Sequence, residues 1–349
     1  MITLSDLRAA QSLIHGITVH TRLIEFNRGA PHVSPHLRDM GTSALDSSRR
    51  IFLKPENQQP IGAFKLRGAY NHIASLSEAE RRRGVISYSS GNHAQGVAYA
   101  ARALNTKAVI VMPNNAPANK REATAALGAE IVFVGPASDE RKAKAEELAA
   151  QHGYVIVPPY NDEKIIAGQG TVGLEILEDL PEVEAVFSPV GGGGLISGVA
   201  VAIKLTNPKV KVIGVEPELA ADAQASLRSG QIIQFPADQV SRTIADGLRA
   251  QSIGPINFQH IQRYVDDIVT VSEDEIRQAM KLLAANPATV AEPSGAVATA
   301  GFLFRRDELP ETKVNVAIIS GGNVEPAVLR ELDQVPIPSV RSDRSGQAL

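Results

Sequence analysis

Cysteine is absent from this chain of 349 residues. Disulfide bonds, catalysis by a thiolate and metal sites built on cysteine sulfur are therefore excluded. A charge excess of one sign is also missing, because the formal net charge is −3 and the basic residues form no long stripe. We therefore expect neither a nucleic acid nor a membrane surface as a partner.

Long hydrophobic runs are missing as well. No window approaches the roughly 20 apolar residues that a transmembrane helix needs. Segment 1–21 mixes polar residues such as Asp6, Arg8 and His15 into its apolar positions, so it lacks the core of a signal peptide. A cytoplasmic protein is expected. The content of 44% hydrophobic and 21% charged residues is that of an ordinary globular chain, and the length allows two domains or lobes.

Short apolar runs alternate with helical patterns through most of the chain. Continuous runs of valine and isoleucine between helices indicate parallel sheets covered on both faces. We predict two α/β lobes, a small one over 84–157 and a large one formed by 1–83 and 158–335. Segment 27–49 is predicted to be a loop, and the tail 336–349 is expected to be flexible. The predicted strands begin at Ile51, Val85, Ala108, Glu130, Tyr154, Ala185, Val210, Ile268 and Val314.

Two helix starts carry recognisable capping signals. Ser5 is predicted to cap a helix over 5–15. Ser272 with Glu275 three residues later is predicted to form a capping box.

One lysine lies in surroundings that favour covalent chemistry at its amine. Lys65 follows Phe64 inside an apolar run that starts at Ile61. Burial disfavours the charged form of an amine, so the pKa of such a lysine is lowered. A neutral amine can attack a carbonyl and form an imine. A lysine after a phenylalanine is more often a solvated helix residue, so this stretch alone decides nothing.

Three further stretches follow predicted strands, where open α/β sheets bind their ligands. They are 89–93 (Ser-Ser-Gly-Asn-His), 191–194 (four glycines) and 320–323 (Ser-Gly-Gly-Asn). The first opens a predicted helix over 93–103, and a second helix is predicted from Gly194. Four glycines let the backbone approach a ligand closely, and a helix that begins there makes a phosphate cradle. The run has neither the Walker pattern nor the dinucleotide-binding glycine spacing. A flexible loop is the alternative. An imine-forming lysine together with a phosphate cradle points to pyridoxal phosphate.

With these stretches, the chain resembles a known family, the threonine/serine dehydratases and serine racemases among the fold-type II pyridoxal-phosphate enzymes. A cysteine synthase would show Ser-Gly-Asn-Thr, whereas here Asn92 is followed by His93. The resemblance implies a two-lobed fold like that of the tryptophan synthase β subunit, with parallel-rich open sheets covered by helices and the active site between the lobes. The matching stretches, in the family's order, are 54–57, 63–69, 89–93, 167–171, 189–194, 245–247, 292–294 and 320–323.

The resemblance implies how the cofactor is held. Lys65 would carry it as an imine and act as the base at the substrate Cα, with Phe64 packed near the ring. Asn92 would hydrogen-bond the ring hydroxyl. Ser320 would face the pyridine nitrogen, and a serine there weakens the electron sink and suits β-elimination better than transamination. The phosphate and the remaining cofactor contacts would come from Gly191, Gly192, Gly193, Gly194, Leu195, Gly247 and Glu292.

The resemblance also implies a substrate site. Ser89, Ser90, Asn92 and His93 match the loop that grips the substrate carboxylate. Ser90 falls on the position that serves racemases as the acid/base on the face opposite the lysine, and a helix cap is the alternative role for each serine. Tyr160 stands where racemases tend to carry a small polar residue, so we expect a narrowed pocket and little racemisation.

A second site is implied by the acidic stretch after Val215. Glu216, the carbonyl of Ala220 and Asp222 match the family's divalent cation site, and such oxygen ligands suit Mg²⁺, Mn²⁺ or Ca²⁺. The alternative is a solvated helix start, where acidic residues are common.

We therefore predict a pyridoxal-phosphate-dependent dehydratase, that is an ammonia-lyase, for L-threonine or L-serine. A serine or aspartate racemase, or a dehydratase of hydroxyaspartate or phenylserine, is the alternative on the same scaffold. A catalytically silent pyridoxal-phosphate carrier is a third reading, disfavoured by the intact Lys65 and Ser90. A homodimer or homotetramer is expected. No regulatory domain is expected after residue 335, so feedback control by isoleucine is not expected.

Overall fold

The computed structural model describes residues 1–26, 49–116, 118–135 and 138–335. The predicted tail 336–349 and all but the last residue of the predicted loop 27–49 lie outside the described residues. The strands are β1 (Ile24–Glu25), β2 (Arg50–Pro55), β3 (Val85–Tyr88), β4 (Ala108–Pro113), β5 (Glu130–Val134), β6 (Val155–Ile156), β7 (Ala185–Pro189), β8 (Lys211–Pro217), β9 (Asp267–Val271) and β10 (Val314–Ile319).

Helices separate most of these strands. The described α-helices are α1 (Leu4–Ile14), α2 (Lys65–Ala74), α3 (Glu78–Arg83), α4 (Asn92–Ala103), α5 (Ala118–Ala126), α6 (Ser138–His152), α7 (Glu163–Asp179), α8 (Gly194–Thr206), α9 (Asp222–Ser229), α10 (Ala237–Val240), α11 (Pro255–Tyr264), α12 (Glu273–Ala284), α13 (Pro293–Phe304) and α14 (Pro326–Glu331). Short 3₁₀ turns lie at Glu56–Gln58, Glu218–Ala220, Asp246–Leu248, Pro287–Thr289, Arg306–Glu308 and Leu332–Gln334. No helix in the described ranges is long and apolar enough to cross a bilayer.

The strands form two sheets. The larger sheet has the order β1-β2-β10-β7-β8-β9, and the smaller has the order β5-β4-β3-β6. Neighbouring strands pair in parallel except β1 with β2, where Ile24 opposes Leu53. Parallel neighbours need long crossovers, and the intervening helices supply them. The predicted fold class is confirmed. The smaller sheet lies within the range 84–157, but the division of the chain into two lobes stays a prediction.

The larger sheet is buried on both faces, which explains its continuous apolar strands. Phe187 and Ile213 belong to the core that includes α13, whereas Val186 and Val212 belong to the core that includes α8. Successive side chains of a strand point to opposite faces, so a strand covered on both sides needs apolar residues at every position. Each fully buried side chain of this size contributes about 1.5–3 kcal/mol. This rigid layer carries the loops at the carboxyl ends of its strands.

The first helix starts earlier than the sequence predicted. Thr3 is its N-cap, and the Thr3 hydroxyl accepts a hydrogen bond from the Asp6 N–H while the Asp6 carboxylate accepts one from the Thr3 N–H. The prediction that Ser5 is the cap was wrong, because only Thr3 has an acidic residue three positions later to close the box. The capping box of Ser272 and Glu275 is confirmed.

Candidate active site

A cavity of about 980 Å³ opens beside the carboxyl ends of strands from both sheets. Segment 89–93 follows β3, segment 191–194 follows β7 and Ser320 follows β10, and all three contribute to its wall. Lys65 lines the same cavity. Parallel strands present their carboxyl ends at one edge, so stretches far apart in sequence meet there.

Lys65 is the first residue of α2, and its amine is buried. The Nζ atom donates a hydrogen bond to the carbonyl of Pro159 at 2.8 Å and lies 5.3 Å from the centre of the Phe64 ring. The Phe64 N–H donates to the carbonyl of Ser320 at 3.1 Å, which ties the start of α2 to the end of β10. Burial lowers the pKa of Lys65 to about 8. No carboxylate among the described residues pairs with this amine.

The glycine run forms the turn between β7 and α8. Gly193 has φ +89°, a conformation that favours glycine, and it is the N-cap of α8. A Cβ atom on Gly192 would lie 2.3 Å from the ring of Tyr160, so only glycine fits there. The backbone N–H groups of 191–195 donate to no other described residue. Free N–H groups at a helix start attract an anion, so the run can hold a phosphate.

The side chain of Asn92, which follows a strand of the smaller sheet, forms hydrogen bonds to residues packed on the larger sheet. Asn92 begins α4, behind the smaller sheet, and its Nδ2 donates to Glu292 Oε1 at 2.5 Å. Its Oδ1 accepts from Asn323 Nδ2 at 2.8 Å. Burial, followed by the nearby charge of Asp246, raises the pKa of Glu292 to about 7. Asn92 therefore has its oxygen and one N–H occupied, and one N–H remains to donate to a ligand.

Two other predicted cofactor contacts meet at Ser294. The Ser320 hydroxyl donates to the Ser294 carbonyl at 3.4 Å, and the Gly247 N–H donates to the Ser294 hydroxyl at 2.8 Å. Ser320 and Gly247 both line the cavity, as do Phe64 and Leu195. The Ser320 hydroxyl is held only weakly at this length, so it can turn to a partner in the cavity.

The predicted substrate loop surrounds the start of α4. Ser89 accepts a hydrogen bond from the Gly91 N–H at 3.3 Å, and Ser90 lines the cavity. Gly91 is the N-cap of α4, and no side chain caps this helix start. The His93 Nε2 atom lies 3.1 Å from the carbonyl of Val157, and burial lowers the pKa of His93 to about 3. His93 is therefore a neutral imidazole.

Two carboxylates lie close together outside the cavity. Glu216 is the last residue but one of β8 and accepts hydrogen bonds from the N–H groups of Ala223 at 3.1 Å and Gln224 at 2.8 Å. Both oxygens of Asp222 are buried, and neither has a hydrogen-bond partner among the described residues. Burial and the neighbouring Asp222 raise the pKa of Glu216, and burial raises the pKa of Asp222 to about 7.

The backbone N–H groups of Asp222 and Ile253 lie near the Asp222 carboxylate and lower its pKa, which partly offsets the effect of burial. Neither N–H group makes a hydrogen bond to it. Because Glu216 and Asp222 are both 0% exposed, the alternative of a solvated helix start was wrong. Two buried carboxylates, one of them unpartnered, fit a cation held with the Ala220 carbonyl. The described residues contain no group of three or more histidine or acidic side chains that could hold a metal.

Sequence reasoning missed Arg141. Its guanidinium is half-buried in the cavity wall, its Nε atom is buried without a hydrogen-bond partner, and burial lowers its pKa. No carboxylate of the described residues pairs with it. The signal was present, since Arg141 lies in the first turn of α6, just after the carboxyl end of β5. That edge is the one on which ligands bind.

A family model supplies the comparison that decides the family. Residues 36–321 match the model described as "Pyridoxal-phosphate dependent enzyme". The chain belongs to this family. As a member of it, the protein uses pyridoxal phosphate as its cofactor.

Individual relatives narrow the comparison. The chain is 45% identical to L-threonine ammonia-lyase from Thermotoga maritima over 325 residues, which are 93% of this chain and 76% of that protein. It is 45% identical to L-threo-3-hydroxyaspartate ammonia-lyase from Saccharomyces cerevisiae over 276 residues, 79% of this chain and 83% of that one. The structure of maize serine racemase superposes with a TM-score of 0.85 at 35% identity, covering 95% of this chain and 97% of that one.

Proposed function

We propose that this member of the family is an ammonia-lyase that dehydrates L-threonine or L-serine to a 2-oxo acid and ammonia. The observation that carries this proposal is the buried amine of Lys65 in the same cavity as a glycine-rich helix start with free N–H groups. The 45% identity to an L-threonine ammonia-lyase supports the same reaction class.

The cavity residues fit pyridoxal phosphate, because the free N–H groups of 191–195 suit a phosphate and the remaining N–H of Asn92 suits a ring oxygen. When bound, the cofactor supplies an electron sink that acidifies the Cα–H bond of an attached amino acid. Ser320 is proposed to meet the ring nitrogen as a neutral hydroxyl. The proposed cofactor contacts are Phe64, Lys65, Asn92, Gly191, Gly192, Gly193, Gly194, Leu195, Gly247, Glu292 and Ser320.

Lys65 is the proposed base. With a pKa of about 8, roughly one tenth of the amine is neutral at pH 7. The neutral nitrogen accepts the proton from the substrate Cα, and the ammonium that results keeps the Pro159 carbonyl as its acceptor. The absence of a carboxylate partner matters, because an ion pair would hold the amine in its charged form.

The substrate carboxylate is proposed to bind at the start of α4. Ser89 and Ser90 offer hydroxyl donors there, and the helix start adds free backbone N–H groups, that of Asn92 among them. His93 is neutral and contributes position, without charge. Tyr160 packs against Gly192 with a hydroxyl whose pKa burial raises to about 12, so it stays protonated and narrows the pocket.

A second candidate substrate is a β-hydroxy amino acid with a second carboxylate, such as hydroxyaspartate. The specific observation is Arg141, a guanidinium in the cavity wall that lacks an acidic partner among the described residues. A desolvated guanidinium without a carboxylate is costly unless a ligand supplies one. The 45% identity to an L-threo-3-hydroxyaspartate ammonia-lyase supports this candidate.

One screen separates the candidates. Ammonia release is measured with L-threonine, L-serine and L-threo-3-hydroxyaspartate for wild type, Arg141→Met and Lys144→Met. Lys144 lies on the same helix, pairs with Glu147 at 2.8 Å and is outside the cavity lining. If the dicarboxylate is the substrate, Arg141→Met lowers its kcat/KM by about 10- to 100-fold, as expected for a lost charge-assisted pair, and Lys144→Met does not. If Arg141→Met leaves kcat/KM for all three substrates unchanged, the threonine or serine assignment stands alone.

Three further features are part of the proposal. Glu216, the Ala220 carbonyl and Asp222 are proposed to bind Mg²⁺, Mn²⁺ or Ca²⁺, supported by the unpartnered carboxylate of Asp222. The residues 84–157 are proposed as the small lobe, and 1–83 with 158–335 as the large one. A homodimer or homotetramer is proposed, which light scattering after gel filtration tests directly. The cytoplasmic location stays a prediction.

A further inference from the structure

Four charged side chains form a buried cluster next to the start of α2. The guanidinium of Arg67 is 0% exposed and binds Glu56 through Nε at 2.7 Å and Nη2 at 2.8 Å. It binds Glu175 through Nη1 at 2.7 Å and Nη2 at 2.8 Å. Lys54, also 0% exposed, donates to Glu175 at 2.6 Å. Two cations thus face two carboxylates with no solvent between them.

Polar neighbours complete the cluster. The Thr171 hydroxyl accepts from Arg67 Nη1 at 3.1 Å, and the Val19 carbonyl accepts from Nη2 at 3.1 Å. The Thr21 hydroxyl donates to Glu56 at 2.7 Å. Burying charges costs several kcal/mol per ion even when they are paired, and apolar replacements often serve stability as well or better. Stability alone therefore does not explain why four charges lie here.

The contact between α2 and α7 explains what the cluster can do. A Cβ atom on Gly168 would lie 2.6 Å from both the Arg67 carbonyl oxygen and Gly68 Cα, so the two helices touch through backbone. Two hydrogen bonds of neutral side chains also cross this contact, from Asn71 Nδ2 to the Lys164 carbonyl at 2.7 Å and from the Gly68 N–H to Gln169 Oε1 at 3.2 Å. The planar guanidinium of Arg67 adds the charged restraint against sliding of one helix along the other, because it binds carboxylates from two directions in fixed geometry.

Helix α7 is also the support of the glycine run. A Cβ atom on Gly170 would lie 2.7 Å from the Gly198 carbonyl oxygen, so α8 touches α7 through backbone in the same way. Lys65 begins α2 two residues before Arg67, and Gly194 begins α8. The distance from the lysine to the glycine run therefore depends on how α2 and α8 each sit on α7.

We propose that Arg67, held by Glu56 and Glu175, is a positioning residue that locks α2 onto α7 and so keeps the Lys65 amine in line with the glycine run. The inference rests on the proposed role of Lys65 as the cofactor-bearing residue. It predicts that loosening the fork slows the covalent linkage between Lys65 and pyridoxal phosphate, while the phosphate site itself still binds.

The test uses Arg67→Lys, which keeps the charge and loses the fork. The apoprotein is mixed with pyridoxal phosphate, the linkage is trapped with borohydride over time, and the Lys65 peptide is quantified by mass spectrometry. We expect the linkage rate to fall by about 10- to 100-fold, since a displacement of about 1 Å has effects of this size. Binding of inorganic phosphate should change less than about threefold, which is less than the effect of one lost hydrogen bond, because Arg67 bonds to neither the glycine run nor α8.

The matched control is Arg305→Lys, the same change at a partly buried guanidinium that binds Glu275 at 2.6 Å and Glu218 at 2.9 Å and lies outside α2, α7 and α8. It should lower the melting temperature and leave the linkage rate at the wild-type value. If Arg67→Lys links as fast as wild type, or Arg305→Lys slows linkage equally, the positioning role is refuted.

Should Arg67→Lys fail to fold, Thr171→Val loosens the same lock more gently, because it removes one neutral acceptor of Arg67 and leaves all four charges paired. Slower linkage in Thr171→Val then supports the inference, and a wild-type linkage rate overturns it. A different result tests Lys65 itself: if wild type carries the trapped cofactor on another lysine, the assignment of Lys65 fails before the question about Arg67 arises.

Discussion

At the residue scale, the chemistry depends on a buried lysine that has no acidic partner in the part of the chain that the structure describes. There Lys65 donates to the Pro159 carbonyl alone, and burial lowers its pKa to about 8. The sequence indicated this correctly from the apolar run around the residue. The Pro159 carbonyl could not be predicted, because a backbone acceptor carries no side-chain signal and lies 94 positions away in the chain.

The first prediction concerns the pH dependence of cofactor attachment to the apoprotein. Only the neutral amine reacts, and its fraction rises with pH until the pKa of about 8 is passed. The linkage rate should therefore increase by roughly tenfold per pH unit between about pH 6 and 7.5 and level off above about pH 8. Lys65→Ala should form no linkage. A flat profile, or a borohydride-trapped adduct on another lysine of Lys65→Ala, would count against the assignment.

The second prediction separates elimination from racemisation. Elimination needs one base on one face of the substrate, whereas racemisation needs a second acid/base on the other face, and Ser90 is the candidate for it. Ser90→Ala should abolish any racemisation and any use of D-serine, while elimination from L-serine keeps a substantial fraction of its rate. Turnover of both enantiomers with chiral analysis of the remaining substrate measures this. Complete loss of elimination from L-serine in Ser90→Ala would show that Ser90 belongs to the main reaction.

At the element scale, the helix starts α4 and α8 supply the polar groups of the cavity. The sequence predicted both starts, because each glycine or serine stretch follows an apolar run directly. It missed α2, α11 and α13, whose starts lack a Ser, Thr, Asp or Asn side chain that caps them. It also missed α3, although Ser77 and Glu80 form a capping box there. It also missed the ionic cluster, because Lys54, Glu56, Arg67 and Glu175 are ordinary charged residues until the fold brings them together.

The third prediction tests the glycine run. Gly192→Ala would bring a Cβ atom to 2.3 Å from the Tyr160 ring, whereas the same change at Gly194 brings it to 3.1 Å from the Tyr160 Cβ atom. Gly192→Ala should therefore weaken cofactor binding by more than about tenfold, the equivalent of 1.4 kcal/mol, and Gly194→Ala should weaken it less. Fluorescence titration of the apoproteins with pyridoxal phosphate measures both. Equal affinity for pyridoxal phosphate in Gly192→Ala and wild type would show that the glycine run is not part of the cofactor site.

The fourth prediction tests the acidic pair. If Glu216 and Asp222 hold a divalent cation, its removal by chelation lowers the free energy of unfolding by about 2.7 kcal/mol when the cation had been at a hundredfold excess over its Kd. Asp222→Ala should melt at the same temperature with and without the cation. Elemental analysis of purified wild type provides the independent check. An unchanged melting temperature on chelation, with no metal in the protein, would dispose of the site.

At the scale of the whole molecule, two parallel-rich sheets bring their strand ends to one cavity. The alternation of apolar runs and helical patterns was sufficient to predict this class of fold. Strands that are apolar at every position are buried when helices cover both faces of a parallel sheet. The β1–β2 pairing was missed, since two residues, Ile24 and Glu25, are too few to show a period. The substrate is harder to predict, because Arg141 and Tyr160 become candidates for contacting it only once the fold places both in the cavity wall.

The central claim is that the protein eliminates water from a β-hydroxy amino acid and does so through Lys65. The most direct measurement follows L-threonine and L-serine with the purified holoenzyme and quantifies three quantities together: ammonia, 2-oxo acid and the enantiomers of the remaining substrate. The account predicts ammonia and 2-oxo acid in equal amounts, faster than any interconversion of enantiomers, and no turnover by Lys65→Ala. Interconversion faster than ammonia release, or undiminished turnover by Lys65→Ala, would contradict it.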